Sequence, residues 1–215
     1  MKTKDKAVII YNNLAIMHPQ ARCELNFTSS FELLVAVILS AQCTDKRVNI
    51  ITDKLFKVYN KPSDFAVLEL EEIKKYIYSC GFYQNKGNNI IATSKMLVEN
   101  YNSEVPTDFE ELVKLPGVGR KTASVMLSVA FNKPAMPVDT HVNRVSKRLG
   151  LSKGKNVDIV EEDLKRIIPI EKWNNFHHYM IFQGRYICKS QNPMCNKCLL
   201  TDVCKYYKDI EGEKK

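Results

Sequence analysis

Apolar residues recur every three or four positions along almost the whole of this chain, as they do on one face of a helix. Residues 4–17 show the pattern first, with Ala7, Ile10, Tyr11 and Leu14 on one stripe. No segment has the sustained alternation of apolar and polar residues that would favour a strand. The pattern therefore predicts an all-α fold.

The most apolar segment runs from Phe31 to Ala41 and is hydrophobic almost all round, which predicts a helix at the centre of a core. Ser29 and Glu32 form a capping box at its start. Gln42 interrupts the apolar run, and Thr44 is predicted to begin the next helix. A polar residue at such a break is by default a surface turn residue.

A later helix is predicted from Leu70 to Tyr78, with Gly81 as its C-cap. Phe82 and Tyr83 follow and precede another helical stretch. Without further information, core packing is the default expectation for both rings.

The stretch from Thr107 to Asp139 organises the chain. Thr107 and Glu110 form a capping box that predicts a helix start, and Pro116 with Gly117 predicts its end. A second helix is predicted from about Arg120. The result is a helix, a tight Gly-Val-Gly hairpin and another helix.

The hairpin glycines allow backbone N–H groups to approach a ligand closely and to adopt positive φ. These groups lie at the start of a helix, where an anion is favoured, and Lys121 adds charge. A phosphate site is predicted, and repeated phosphates indicate DNA or RNA. An ordinary αα-hairpin is the alternative. The candidate contacts are Leu115, Gly117, Val118, Gly119 and Arg120.

Composition supports a polyanionic partner. The 215 residues carry a net charge of +8 with a pI near 9.0, and 45% of them are hydrophobic, enough for a real core. An acidic membrane surface is the competing partner. The longest apolar run, Leu33 to Leu39, is too short to span a bilayer, and no signal peptide or lipidation motif is present. No membrane association and a cytoplasmic location are therefore expected.

Lys121 is either one more phosphate contact or an amine nucleophile. Its place in the first turn of a helix, beside Arg120, disfavours the charged amine. A neutral amine can attack a sugar C1′ and form a Schiff base. Asp139 is predicted as a helix N-cap. Its carboxylate could also face the amine, stabilise oxocarbenium-like charge and assist proton transfer.

Four of the seven cysteines follow the spacing C-x6-C-x2-C-x5-C, a strong metal signal. Spacing alone leaves zinc and a [4Fe–4S] cluster open, although one compact loop favours the cluster. The four are Cys188, Cys195, Cys198 and Cys204. The three scattered cysteines are expected to be small buried hydrophobes, and an odd total argues against a disulfide framework. These are Cys23, Cys43 and Cys80.

Three motifs together resemble the endonuclease III family of bifunctional DNA glycosylases. They are Leu115-Pro-Gly-Val-Gly-Arg-Lys-Thr-Ala123, Val138-Asp-Thr-His141 and the four late cysteines. The resemblance extends from about Ala21 to Lys205. It implies a six-helix barrel domain over 22–132, a second domain of 1–21 and 133–215 that holds a [4Fe–4S] cluster, and a DNA-binding cleft between them.

The resemblance also implies an activity. The chain would remove oxidised pyrimidines of the thymine glycol class and cleave the abasic site by β-elimination, with Lys121 as nucleophile and Asp139 opposite it. Its partner would be double-stranded DNA that contains damaged bases or abasic sites. A monomer associated with the nucleoid is expected.

The same resemblance assigns roles to exposed loops. Gln42 would fill the gap left by a flipped nucleotide, and Phe82 would wedge into the base stack. The family usually has Leu in place of Phe82 and Asn in place of Gln84, so contacts with the opposite base could differ. His141 of the second motif and Arg144 on the basic side of the next helix complete the candidate DNA contacts.

Several alternatives stay open at this stage. A mismatch adenine glycosylase would lack Lys121 and would carry an extra C-terminal domain, which disfavours it. Other mismatch glycosylases or a pyrimidine-dimer glycosylase of the same superfamily are possible. A non-catalytic iron–sulfur DNA-binding or redox-sensing protein, or a zinc-bearing nucleic-acid module, would show no strand cleavage.

Overall fold

The computed structural model describes residues 2–212, and no β-strand occurs within them. The prediction of an all-α fold is confirmed. The α-helices are α1 (Thr3–Met17), α2 (Ser30–Ser40), α3 (Asp45–Leu55), α4 (Pro62–Ala66), α5 (Leu70–Ile77), α6 (Tyr83–Asn100), α7 (Phe109–Leu112), α8 (Arg120–Val125), α9 (Thr140–Leu149), α10 (Val157–Ile167), α11 (Trp173–Phe182) and α12 (Lys205–Gly212). None of these helices combines the length and the apolar character needed to cross a membrane.

The chain divides into two compact units. The central unit comprises Glu24–Lys133, and the terminal unit comprises residues 2–23 and 134–212. The second boundary lies within the segment 132–137, where Pro134 and Pro137 lack the backbone N–H that would continue a helix. The predicted barrel domain of 22–132 and cluster domain of 1–21 with 133–215 stay predictions.

The core of the central unit is built around α2. Every residue from Phe31 to Leu39 is buried, which confirms the expectation from its apolar composition. The Ser29 hydroxyl accepts a hydrogen bond from the Glu32 backbone N–H, so the N-cap is also confirmed. The Glu32 carboxylate accepts hydrogen bonds from the backbone N–H and the hydroxyl of Thr28, which precedes the helix.

The predicted start of the hairpin's first helix is wrong by one residue. Asp108 is the N-cap, because its Oδ1 accepts from the backbone N–H groups of Glu110 and Glu111 at 2.9 and 3.4 Å. The Thr107 hydroxyl instead lies 3.2 Å from the Lys133 Nζ. A carboxylate is a stronger acceptor than a hydroxyl and is favoured by the positive end of a helix dipole, so the chain uses Asp108.

The predicted C-cap at Gly81 is also wrong. The helix ends earlier, at the cap residue Tyr78, and the Cys80 backbone N–H closes a tight turn onto the Ile77 carbonyl at 2.8 Å. The left-handed backbone conformation falls on Phe82, with φ of 58°. That unusual conformation places an aromatic residue, rather than a glycine, at the entry to α6.

The terminal unit joins the N-terminal helix to the C-terminal half of the chain through one apolar core. In this core the buried face of α1 packs against helices from the C-terminal half of the chain. The core includes Ala7, Ile10 and Leu14 of α1, Val142, Val145 and Leu149 of α9, Val160 and Leu164 of α10, and Phe176 and Met180 of α11. A five-residue π-helix, Gln183–Ile187, continues α11 toward the cysteine loop.

Candidate active site and cysteine cluster

The hairpin between α7 and α8 has the predicted form. The Val118 backbone N–H donates to the Leu115 carbonyl at 3.0 Å and closes the turn. The Thr93 hydroxyl of α6 donates to the Pro116 carbonyl at 2.7 Å. The turn is therefore fixed to the longest helix of the central unit, and α8 begins immediately after it at Arg120.

The two hairpin glycines have different reasons to be glycine. Gly117 has φ of 79°, and a Cβ there would lie 2.8 Å from the Asn89 Cβ. Gly119 has an ordinary extended backbone with φ of −87°, and no atom lies within 4 Å of its Cβ position. Gly117 is thus required by the fold, whereas Gly119 leaves open space directly before the first turn of α8.

The remaining hairpin candidates divide into buried and exposed residues. Leu115 and Val118 are buried, and the Val118 N–H is already bonded to the Leu115 carbonyl. Arg120 is exposed, and its guanidinium lies 5.2 Å from the centre of the Phe109 ring on α7. The hairpin contacts with DNA stay predictions.

Lys121 and Asp139 each occupy the predicted position within its own unit. Lys121 is exposed in the first turn of α8, and no residue of the described central unit forms an ion pair or hydrogen bond with its amine. Asp139 is the N-cap of α9, because its Oδ1 accepts from the Val142 backbone N–H at 2.8 Å. The cap is confirmed, and the catalytic roles of both residues stay predictions.

Gln42 and Phe82 lie on adjacent exposed turns of the central unit. Both have left-handed backbones, with φ of 53° and 58°. The Gln42 carbonyl oxygen lies 3.9 Å from the Cβ position of Gly81, so the two turns touch. Phe82 is 64% exposed, which makes the expectation of core packing wrong for this ring.

His141 and Arg144 are engaged within the terminal unit. The Arg144 guanidinium donates to the carbonyls of Gly184 and Cys188 at 2.9 and 3.2 Å, and its Nη2 lies 3.2 Å from the His141 Nδ1. Burial lowers the pKa of His141, and the Asp139 carboxylate only partly offsets this. Both residues hold the π-helix that precedes the cysteine loop, while their predicted DNA contacts stay predictions.

The four late cysteines line one common pocket in the terminal unit. Burial raises the pKa of the Cys198 and Cys204 thiols. Within residues 2–212, no three Cys, His, Asp or Glu side chains form a set that could hold a single metal ion. The four thiols therefore face one common space in the terminal unit, and the group that they hold stays a prediction.

Two residues that brace this loop were not found by sequence reasoning. The Arg148 guanidinium donates to the Ser190 carbonyl at 2.9 Å and lies 4.4 Å from the centre of the Tyr206 ring. Gln183, which is 1% exposed, donates its amide N–H to the Cys198 Sγ at 3.2 Å. Gln183 could have been identified from the sequence as a polar residue on the apolar face of the last long helix.

Comparison with known proteins gives consistent matches over almost the whole length of the chain. Residues 35–169 match the profile described as HhH-GPD superfamily base excision DNA repair protein. Endonuclease III of Bacillus subtilis (strain 168) is 52% identical over 200 residues, covering 93% of this chain and 89% of that protein. Endonuclease III of Escherichia coli (strain K12) is 45% identical over 208 residues, covering 97% and 99%.

A solved structure agrees with the sequence matches. It is a trapped covalent intermediate of endonuclease III with DNA, 50% identical, with a TM-score of 0.94 over 98% of this chain and 100% of that one. Fold, helix-hairpin-helix motif and sequence therefore lead to one assignment. The chain belongs to the HhH-GPD superfamily of base excision DNA repair proteins and, within it, to the endonuclease III family of DNA glycosylases with AP lyase activity.

Proposed function

We propose that Lys121 is the nucleophile of this enzyme, that Asp139 assists it, and that its substrates are oxidised pyrimidines of the thymine glycol class in double-stranded DNA. The observation that carries the proposal is the exposed Lys121 amine in the first turn of α8, directly after a hairpin with open space at Gly119. A relative with 50% identity that was trapped covalently on DNA supports covalent chemistry.

The proposed reaction proceeds through an imine. The neutral Lys121 amine attacks C1′ of the damaged nucleotide, the bond from C1′ to the base breaks, and the base leaves with a proton. The sugar ring opens as the C1′–N bond becomes an imine. Loss of a proton from C2′ then expels the 3′ phosphate and nicks the strand. Water finally hydrolyses the imine and releases the lysine.

Asp139 is suited to the proton transfers of this sequence. One of its oxygens accepts the Val142 N–H, which fixes the orientation of the carboxylate at the start of α9. The second oxygen can take up or return a proton and can stabilise positive charge that develops on the sugar.

DNA would be held by the hairpin and opened by the two adjacent turns. Backbone N–H groups at the start of α8 suit a phosphate, since they have no partner within the helix. The exposed Phe82 ring suits a wedge beside an extruded nucleotide, and Gln42 on the touching turn suits the space left behind.

The cysteines Cys188, Cys195, Cys198 and Cys204 would hold a [4Fe–4S] cluster. Support comes from the four thiols around one pocket and from their C-x6-C-x2-C-x5-C spacing. The four thiolates would coordinate the cluster, and this would stabilise the C-terminal segment of the chain. Purified protein should then contain iron and inorganic sulfide in equal amounts and little zinc.

The test of the catalytic proposal is borohydride trapping on a duplex with one thymine glycol. Wild type, Lys121→Gln and Lys95→Gln are compared. Lys95 is an exposed lysine of α6 in the same unit, so the control makes the same change of charge. A covalent adduct with wild type and Lys95→Gln, but not with Lys121→Gln, is expected.

Other outcomes would overturn parts of the proposal. An adduct that persists in Lys121→Gln would assign the nucleophile elsewhere. Base release by wild type without any adduct would indicate a glycosylase that acts without an imine. Binding without adduct or base release would mean another lesion class or a non-catalytic protein.

A further inference from the structure

Two of the cysteines outside the metal motif meet in the central unit. The Sγ atoms of Cys43 and Cys80 lie 3.8 Å apart, although the residues are 37 positions apart in sequence. Cys43 follows α2, in the turn that leads to α3, and Cys80 lies in the turn between α5 and α6. The two thiols thus belong to two separate turns and are in contact, although they are far apart in sequence.

The surroundings of Cys80 favour its uncharged thiol. Cys80 is only 1% exposed, and burial together with the neighbouring Cys43 raises the pKa of its thiol to about 11, with the nearby cations of Lys86 and Arg47 offsetting only part of this. Cys43 is half-buried and therefore the more accessible sulfur. A disulfide carries no charge, so the apolar surroundings that disfavour a thiolate do not disfavour a disulfide.

Cys43 and Cys80 lie in the same two turns as Gln42 and Phe82, the candidate residues for opening the DNA duplex. Gln42 precedes Cys43, and Phe82 follows Cys80 by two positions. The Gln42 carbonyl oxygen already approaches the Cβ position of Gly81 to 3.9 Å. A covalent bond between the sulfurs would fix the separation of these turns.

We propose that Cys43 and Cys80 form a reversible disulfide on exposure to a hydroperoxide, and that this bond holds the Gln42 and Phe82 turns in a less active arrangement. The Cys43 sulfur attacks the peroxide oxygen, forming a sulfenic acid and releasing water or an alcohol. The Cys80 sulfur then displaces hydroxide from the Cys43 sulfur, and this hydroxide takes the proton of Cys80 and leaves as water. Two thiols lose two electrons and two protons, and the hydroperoxide is reduced.

Bond formation requires movement. The sulfurs must approach from 3.8 Å to about 2.0 Å, the length of a disulfide bond. A displacement of roughly 1 Å in a positioning element can lower an enzymatic rate about a hundredfold. We expect at least a tenfold fall in the rate of base excision, restored by a dithiol reductant; this part rests on the proposed function.

The disulfide can be detected by mass independently of activity. Holoenzyme is treated with hydrogen peroxide and digested with trypsin and a protease that cleaves after glutamate. The second protease separates Cys23 from Cys43 at Glu24. A linked pair of the peptides 33–46 and 76–86 is expected, two hydrogens lighter than their sum, and it should disappear on reduction.

Matched variants separate this reaction from other oxidation. Cys43→Ala and Cys80→Ala should lose the linked peptide and should keep their activity after peroxide treatment relative to their own untreated samples. Cys23→Ala should behave as wild type. Damage to the metal site would affect all variants equally, so the difference between wild type and Cys43→Ala reports the disulfide alone.

Two results would overturn the proposal. Absence of the linked peptide in peroxide-treated wild type would overturn the disulfide itself. A linked peptide with an unchanged rate would overturn the effect on the two turns. If the untreated enzyme shows no activity on thymine glycol, the proposed function fails, while the peptide measurement still decides whether the disulfide forms.

Discussion

His18 and Gln183 form a buried hydrogen bond, with 2.8 Å between the His18 Nε2 and the Gln183 Oε1. The amide nitrogen of the same glutamine donates to the Cys198 Sγ at 3.2 Å. Since a glutamine oxygen only accepts, His18 must donate from Nε2. The residue that ends α1 is therefore linked through one amide to the cysteine loop.

Replacing Gln183 with leucine should destabilise the terminal unit. The change leaves the His18 N–H and the Cys198 sulfur without their partner, and an unpaired buried polar group costs roughly 1–3 kcal/mol. Urea unfolding of the holoprotein measures the loss. Gln84→Leu, at an exposed glutamine of α6, is the control and should change stability by less than about 0.5 kcal/mol. Equal effects of the two changes would contradict a special role for Gln183.

Stability should fall as the pH drops below about 6.5, the ordinary pKa of histidine. Burial lowers the pKa of His18 and His178 in the folded protein, and desolvation is also the main cause of the lowered pKa of His141. The unfolded chain then binds protons that the folded chain does not, so acid favours unfolding. The stabilisation is fully present above pH 6.5 and is lost toward the lower folded-state pKa values.

Urea midpoints measured between about pH 5 and 8 test this expectation, since the unperturbed histidine pKa lies inside that range. His178→Gln removes a group whose only cause of shift is burial, so the dependence on pH should become shallower. A curve as steep as that of wild type would show that His178 does not contribute.

Lys86 should stabilise the end of the central helix. Its side chain is 5% exposed, and its Nζ donates to the Leu39 carbonyl of α2 at 2.9 Å. Carbonyls in the last turn of a helix have no partner within it, and a cation there is favoured by the dipole. Lys86→Met should lower the free energy of unfolding by roughly 1–3 kcal/mol. Lys95→Met, on the exposed side of the same helix, should be nearly neutral.

Substitution by alanine should affect a different property at each hairpin glycine: stability at Gly117 and DNA affinity at Gly119. Gly117→Ala forces a left-handed backbone onto a residue with a Cβ and brings that carbon against Asn89, so unfolding should become easier by about 1–2 kcal/mol or more. Gly119→Ala has room and an ordinary φ, so stability should be kept. Its methyl group would occupy the proposed phosphate site, and affinity for an abasic duplex should fall. A Gly119→Ala protein with wild-type affinity would contradict the phosphate site.

Local signals in the sequence were sufficient for several helix ends. Ser29, Thr44 and Asp139 each cap a helix as predicted, and Gly150 ends α9 with φ of 73°. Such signals act over three or four residues, so they can be found without a structure. Where two of them competed, as at Thr107 and Asp108, sequence reasoning chose the wrong one.

Contacts between distant residues could not be predicted in this way. The burial of Lys86 depends on a carbonyl 47 positions away, and the amide of Gln183 is paired with a histidine 165 positions away. The periodicity of apolar residues along the chain does not show which distant residues lie close together. The meeting of Cys43 and Cys80 belongs to the same class, because each cysteine alone resembles a small buried hydrophobe.

Phe82 should matter for activity on duplex DNA and not for folding. Phe82 has a left-handed backbone and is the N-cap residue of α6. Because the residue is 64% exposed, its ring contributes little to the core. If it enters the base stack beside an extruded nucleotide, Phe82→Ala removes a stacking contact of roughly 1–3 kcal/mol. The rate of excision from a thymine glycol duplex should then fall about five- to a hundredfold, with an unchanged urea midpoint.

A matched variant and a second substrate separate the wedge from a general surface effect. Tyr78→Ala removes another exposed aromatic ring of the central unit, 66% exposed, and should leave the rate unchanged. On single-stranded DNA no partner base has to be separated, so wild type and Phe82→Ala should differ much less there. Phe82→Leu should recover most of the duplex activity, because a branched apolar side chain can still enter the stack. An equal loss on both substrates would assign Phe82 to binding rather than to opening the duplex.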